Sequence, residues 1–441
     1  MSPLVVILSS LAGTLIGGMI SILPSLHIYN VAGISLLVWS MTSSMLPAAG
    51  IAPFFMSLIV SFSFFNTIPM SFLNAPDESA QVNILPSIKY MTFGRGYEGA
   101  MVQGFGSLLG CLLLAAMTPF FYFAMPYIHR VVSNHMHWIL GLIMVYMVLS
   151  EWPKGFGRGK PLQQFFDAWQ NVFAGMGAFA LSGILGLIVL SKTVIRPEMA
   201  FQNVLPVFIG LFAIPSILQN LVSRHKIPKQ HISDDMELTW KEVGKSCFQG
   251  SLAGLLAAYV PAVTAGIGGL LAGHATSQRG DRIFIMTGGV MKTIYYVGAF
   301  LLLFVLTPLT PMGMGRGGLA IILRPVFTPE PGMYFQMAAI VVFSGFISFL
   351  MMMKASKWAL AVIARVDYHT MYWCAFALLI ALVFVLTRWE GLLIMTCATF
   401  IGNLPVFFHA RRSDCMAVLL VPIALNMAGY QDAVLRFFHL V

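Results

Sequence analysis

The chain has 441 residues, of which 58% are hydrophobic and only 9% charged. Soluble domains carry about 25% charged residues, so this composition, with a mean hydropathy of +0.84, excludes an ordinary soluble fold and indicates a polytopic membrane protein. The net charge of +9 suits loops facing an anionic leaflet, and the lack of a basic patch interleaved with aromatics speaks against a nucleic-acid partner.

A spanning helix needs roughly 20 apolar residues, which leaves room for about 10–14 spanning or half-spanning segments. The first begins at the N-terminus. Met1-Ser2-Pro3 has no positive charge and the apolar run that follows has no clear cleavage site, so it reads as a membrane segment and not a signal peptide.

Within residues 4–38 lies the stretch 13–33, GTLIGGMISILPSLHIYNVAG, which recurs from Gly250 as GSLAGLLAAYVPAVTAGIGGL. Aligned without a gap, Gly13 meets Gly250, Gly17 meets Gly254, Pro24 meets Pro261 and His27 meets Thr264. Proline removes a backbone donor, and its predecessor resists the helical region. Each copy therefore predicts a helix broken in its middle, tolerated in a bilayer only where the freed backbone faces protein or a water-filled cavity. Paired breaks at matched places point to a transporter's substrate site.

An apolar span at 51–69 leads to the polar stretch NAPDESAQVN (74–83) and a Gly-Arg-Gly turn at 94–96. The next span, 99–125, carries Gly104, Gly106 and Gly110, suited to close helix contact. Apolar runs follow at 137–149, 168–190 and 205–221, with Trp152, Lys154, Arg158 and Lys160 marking an exposed loop. Residues 224–245 mix both signs of charge and read as a solvated connector, with a short amphipathic helix expected at 235–243. The second half repeats the plan: a broken segment at 250–273, a span at 283–306, and PMGMGRGGLAIIL (311–323), opposite 74–86 at the same offset. Spans then follow at 333–353, 371–387, 391–408 and 416–428, the third interrupted by Asn403-Leu404-Pro405.

The fold class is thus an all-α polytopic membrane protein, a two-fold internal repeat with broken helices and re-entrant hairpins. Its parts are a first repeat at 1–222, a charged connector at 223–246, and a second repeat with C-terminal helices at 247–441. Whether the repeats are inverted or parallel depends on the crossings per half, which segment counting leaves open. Cys111, Cys247, Cys374, Cys397 and Cys415 are scattered and odd in number, so they read as packing residues. His129, His135 and His137 cluster at a segment boundary without carboxylates, and no metal site is assigned.

A half-helix restarting inside the membrane presents unpaired N–H groups and the positive end of its dipole, which favour an anion. Ser25, His27, Ala262 and Thr264 follow Pro24 and Pro261, where they cap the new helix or touch a ligand; the bland alternative is a proline kink in a packed helix. Asn74, Asp77, Glu78 and Ser79 open a helix if that stretch lies in water, and hold a coupling cation or proton if it dips into the membrane. Lys292 lies about ten residues into its span and needs a partner if buried there; the alternative is snorkelling to an interface. Arg316, on a glycine-rich backbone, offers a fork for carboxylate or phosphate, or is a plain loop arginine. There is no P-loop, HExxH, GxSxG or dinucleotide fingerprint, so neither an ATP-driven pump nor a standard hydrolase is supported.

The matched breaks, the APDES segment and the run GRGYEGAMVQGFGSLLG (94–110) resemble the large membrane subunit of tripartite tricarboxylate transporters, especially its stand-alone prokaryotic relatives. That family carries a P-G-[apolar]-[small or His] motif in each half, a proline-bearing hairpin after the next span, and a second-half span following a G-D pair. The counterparts here are Pro24-Ser25-Leu26-His27, Pro261-Ala262-Val263-Thr264, residues 75–80 and Gly280-Asp281. Ser25 and Ala262 replace the motif glycines, and Asp77-Glu78 stand where carboxylate importers carry small uncharged residues. A more distant similarity is to polyprenyl-phosphate transporters. The resemblance implies a secondary transporter for an organic anion in a prokaryotic cytoplasmic membrane. It would have no cofactor beyond a coupling Na+ or H+, and its partners would be lipid and a small anion or lipid phosphate, with a homodimer admitted. The alternatives are a polyprenyl-phosphate translocase on the same anion site and a membrane-embedded lipid enzyme, which lacks a nucleophile–base set.

Overall fold

Residues 51–65, IAPFFMSLIVSFSFF, are apolar on every side, and the helix they form, α3 (Ile51–Phe65), is buried along its whole length. A helix apolar all round belongs in the centre of its packing unit. Its three central serines tie it to three neighbours: Ser61 donates to the Thr14 carbonyl at 2.7 Å, Ser57 accepts from Ser344 at 2.7 Å, and Ser63 accepts from Thr293 at 3.2 Å. Hydroxyl contacts of this kind hold helices together where apolar burial gives no preference between lipid and protein.

The computed structural model describes residues 2–23, 27–41, 48–73, 75, 79, 83–154, 159–192, 194–195, 203–223, 228–233, 235–315, 323 and 328–440. The other helices, in chain order, are α1 (Pro3–Ser21) and α2 (Ile28–Met41) before α3, then α4 (Thr67–Leu73), α5 (Ile84–Thr92), α6 (Gly96–Val132), α7 (Met136–Leu149) and α8 (Pro161–Ser191). They continue with α9 (Val204–Phe208), α10 (Ile214–Ser223), α11 (Trp240–Tyr259), α12 (Ala265–Ala275), α13 (Asp281–Leu301), α14 (Met333–Ile363), α15 (Tyr368–Phe407), α16 (Ala417–Ala428) and α17 (Gln431–Phe437). Among the described residues there is no strand beyond one isolated bridge, Thr307 to Thr310. Among the described residues eight spans are long and apolar enough to cross a membrane, or nine if the bent pair Arg412–Ala428 and Gln431–Phe437 counts as one. The protein is all-α and multi-pass.

The helices form two compact units, residues 1–131 with 224–372 and residues 132–223 with 373–441. In the first, α1 packs on α3 and α11 packs on α13, each pair through glycines spaced four apart. A side chain at Gly13 or Gly17 would strike the backbone at Phe54 or Leu58; one at Gly250 or Gly254 would strike Val290 or Ile294. Gly106 and Gly110 bring α6 against α13 in the same way, and Gly104 brings it against Met352 of α14. Helices starting at residues 3, 28 and 96 recur at 240, 265 and 333, a constant offset of 237, which is also the offset from Gly13 to Gly250.

The second unit pairs α8 with α16, where Gly183 faces Val421 and Gly186 lies against the Val418 carbonyl. A π-turn at Ile209–Ala213 links α9 to α10, with Gly210 closing on the backbone of Met395 and Gly402 on Leu211. Phe165, Phe166, Trp169 and Phe173 form an aromatic face near the start of α8, as suits a membrane–water interface.

Three sequence expectations change. Helix α15 runs unbroken through Asn403 and Pro405; its break is at Arg388 (φ 57°, ψ −151°), between the two spans expected at 371–387 and 391–408. Asn403 stays helical, donating to the Thr399 carbonyl one turn back at 2.9 Å. The amphipathic helix expected at 235–243 exists only from Trp240, because Thr239 and Glu242 form a capping box that fixes the start there. Nor is the connector simply solvated: His231 donates its backbone N–H to the Gly94 carbonyl at 2.7 Å, and Gln230 bridges the Gly96 amide and the Met91 carbonyl.

Candidate functional site

Helix α1 ends at Ser21 and α2 starts at Ile28, while α11 ends at Tyr259 and α12 starts at Ala265. Both copies of the repeated stretch are thus interrupted. In the second break Pro261 and Ala262 form a turn, and Ala262 sits at φ 62°. That left-handed conformation costs a non-glycine residue roughly 1–2 kcal/mol, so the motif glycine that Ala262 replaces stands at a position whose backbone favours glycine. Thr264, 2% exposed, is the N-cap of α12 but makes no capping bond, and its hydroxyl has no partner. The first amides of α12 and this hydroxyl therefore form a polar end inside the unit. Pro24 and Ser25, of the first break, lie outside the described residues.

His27 closes the first break. It is 2% exposed, and its ring meets Tyr296 of α13 edge-on at 6.3 Å between centroids. Tyr296 also packs edge-on against Phe62 of α3 at 5.4 Å. One turn earlier on α13 is Lys292, 1% exposed, whose ammonium donates to the Thr67 hydroxyl at 3.4 Å. Lys292 is enclosed by protein and does not snorkel. A further turn back, Gly288 makes room for the Asn83 side chain, since a Cβ there would overlap its carboxamide. Residues 288, 292 and 296 share one helix face by their spacing of four. Along that face α13 meets the start of α5, the α3–α4 junction and the end of the first break.

The α3–α4 junction is Asn66, the C-cap of α3. Both side-chain atoms of Asn66 and of Asn83 are buried without a hydrogen-bond partner, as are the Thr287 hydroxyl and the Gln103 carboxamide oxygen. Buried polar groups are nearly always paired, and an orphaned one costs about 1–3 kcal/mol. Asn83, against Gly288, and Asn66, next to the Thr67 that Lys292 bonds, put unpaired carboxamides near one buried ammonium, a strip that can receive a polar, negatively charged ligand. Asn66, Asn83 and Thr287 escaped the sequence reading, because neutral side chains in apolar runs carry no charge signal. The only hint was the Asn-Thr-Ile-Pro stretch breaking the run at 66–69.

Of the other candidates, Ser79 is fully buried. Asn74, Asp77, Glu78 and Arg316 lie outside the described residues. Gly280, at φ 97°, precedes Asp281, which opens α13 and pairs with Lys89 at 3.1 Å. His129 approaches the Tyr259 hydroxyl at 3.3 Å.

These features define a class: a multi-pass α-helical membrane protein with two interrupted helix pairs and a buried polar strip along one helix face. The chain belongs to the tripartite tricarboxylate transporter TctA family, whose family model matches residues 7–417. It is 26% identical over 431 residues to an uncharacterized protein, MJ1079, of Methanocaldococcus jannaschii, covering 96% of this chain and 98% of that protein. No solved structure is a match.

Proposed function

We propose that the protein is a secondary active transporter that moves an organic anion of the carboxylate type across the cytoplasmic membrane, coupled to H+ or Na+. The carrying observation is Lys292, an ammonium enclosed by protein on the helix face that also meets the unpartnered carboxamide of Asn83. Ionisable groups within a membrane protein's interior are costly and are mostly kept for function. In this reading Lys292 balances the substrate's charge, while Asn66, Asn83 and Thr287 supply neutral hydrogen bonds. Thr264 and the α12 amides add a dipole end, with the Pro261–Ala262 turn shaping it and His27 bordering the strip. Pro24, Ser25 and Arg316 are proposed as further substrate contacts, and Asn74, Asp77, Glu78 and Ser79 as a cation-binding stretch.

The family supports transport of a tricarboxylate-type anion. The proposed internal repeat with re-entrant hairpins is supported by the constant 237-residue offset of helix starts. It is also supported by the unit boundaries, which fall at residues 131 and 372, near that same offset. No observation favours the polyprenyl-phosphate alternative. The test is uptake of labelled citrate into proteoliposomes under an imposed Na+ or H+ gradient. Gradient-dependent uptake that Lys292→Ala removes, with the variant still folded, is the expected result. Equal uptake by wild type and variant would take Lys292 out of the mechanism.

A further inference from the structure

The second unit holds a cluster of charge that the substrate strip does not use. Glu151 follows α7, and its side chain is 2% exposed. It accepts from Lys154 at 2.8 Å and from Asn171 of α8 at 2.9 Å, and Arg411 stands 3.5 Å from its second oxygen. Lys154 also donates to the His409 carbonyl at 2.7 Å, and Asn171 to the Trp152 carbonyl at 2.7 Å. Arg411 further bonds the Ser150 hydroxyl.

Asp414, in the 3-10 turn Arg412–Met416 before α16, is 2% exposed. Its Oδ2 lies in the space a side chain at Gly175 of α8 would take, so that glycine makes room for the carboxyl group. Its Oδ1 has no hydrogen-bond partner, and among the described residues no cation stands within ion-pair distance of it. The charged groups facing Asp414 are Glu151, Arg411 and Lys154. Arg412 turns its guanidinium to Ser216 and Gln219 of α10 instead. From α8 the neighbour is Gly175, which carries no charge.

We infer that Asp414 is a proton-binding site beside the ion-paired Glu151, exchanging its proton with solvent during the transport cycle. A buried carboxylate with an unpartnered oxygen is far costlier than the neutral acid. The two nearby cations are already engaged by Glu151, which leaves Asp414 a like charge as its neighbour and a reason to stay protonated. The proton comes from solvent water and returns to it, so no other reactant is needed. The exchange during transport rests on the transport reading; the proton site itself does not.

The test is infrared difference spectroscopy of the whole protein in liposomes, titrated through neutral pH. A carboxylic-acid carbonyl band should appear on acidification, vanish in Asp414→Asn, and move to lower pH in Glu151→Gln, where the neighbouring negative charge is gone. A wild-type band unchanged by Asp414→Asn, or no band at all, overturns the site. In proteoliposomes, Asp414→Asn should abolish the acceleration of citrate uptake by an inward proton gradient; full acceleration in that variant overturns the role in the cycle. If wild type moves no carboxylate, the transport reading fails, while the infrared titration still decides the proton site.

Discussion

In the first unit the α13 face that carries the buried Lys292 also meets carboxamides that lack partners among the described residues. In the second unit Glu151 is equally enclosed, but Lys154 and Asn171 bond its first oxygen and Arg411 stands 3.5 Å from the second, which makes no hydrogen bond. A network that holds helices together satisfies most of its polar atoms and balances its charges, because each orphan lowers stability. A strip that leaves its atoms open gives up stability for something that binds there. The contrast is between a buried carboxylate met by two cations and a buried strip of open carboxamides, and Asp414, beside the first, has an unpaired oxygen and no ion-pair partner among the described residues.

Substitutions sharpen the contrast. The largest functional effect is expected at Lys292: Lys292→Ala should reduce citrate uptake to background while thermal unfolding in detergent stays near wild type. Lys292→Arg should restore little, since a guanidinium is bulkier and cannot reproduce a point charge in a packed site. Glu151→Ala should behave the other way. It leaves the part-exposed Lys154 and Arg411 without their counter-charge and removes the acceptor of the Asn171 carboxamide, a loss of about 1–3 kcal/mol visible as a fall in midpoint temperature.

Asn83→Ala comes next. With no hydrogen bond to lose, stability should hold or rise slightly, while the substrate concentration for half-maximal uptake should increase about tenfold, the equivalent of roughly 1.4 kcal/mol. A clear loss of stability instead would class Asn83 with the Glu151 network. The smallest effect is at Ala262, where Ala262→Gly should raise stability by about 1 kcal/mol by relieving the positive φ. No change would mean the turn is not strained.

Much of this architecture was legible in the sequence, because membrane helices advertise themselves by length and apolarity, and proline and glycine mark their breaks and contacts. The interruption between α11 and α12 follows from Pro261, and the close pairing of α1 with α3 from Gly13 and Gly17. The helix break near Arg388 lies between two apolar runs that the sequence already separated. The polar strip was only half legible. Lys292 stood out as a charge in an apolar run, but Asn66 and Asn83 became notable only when packing left their amides unpaired. The second-unit cluster was not legible at all. Glu151 sits beside Trp152 and Lys154 in what reads as an exposed loop, and its burial depends on Arg411 and Asp414, some 260 residues away in the chain. No local pattern encodes a contact of that separation.

Equilibrium binding of citrate to the purified protein by isothermal titration, comparing wild type with Lys292→Ala and Asn66→Ala, bears most directly on the anion strip. Saturable binding in wild type that is lost in Lys292→Ala and weakened in Asn66→Ala is the expected outcome. Binding of undiminished affinity in both variants would place the anion elsewhere and contradict it.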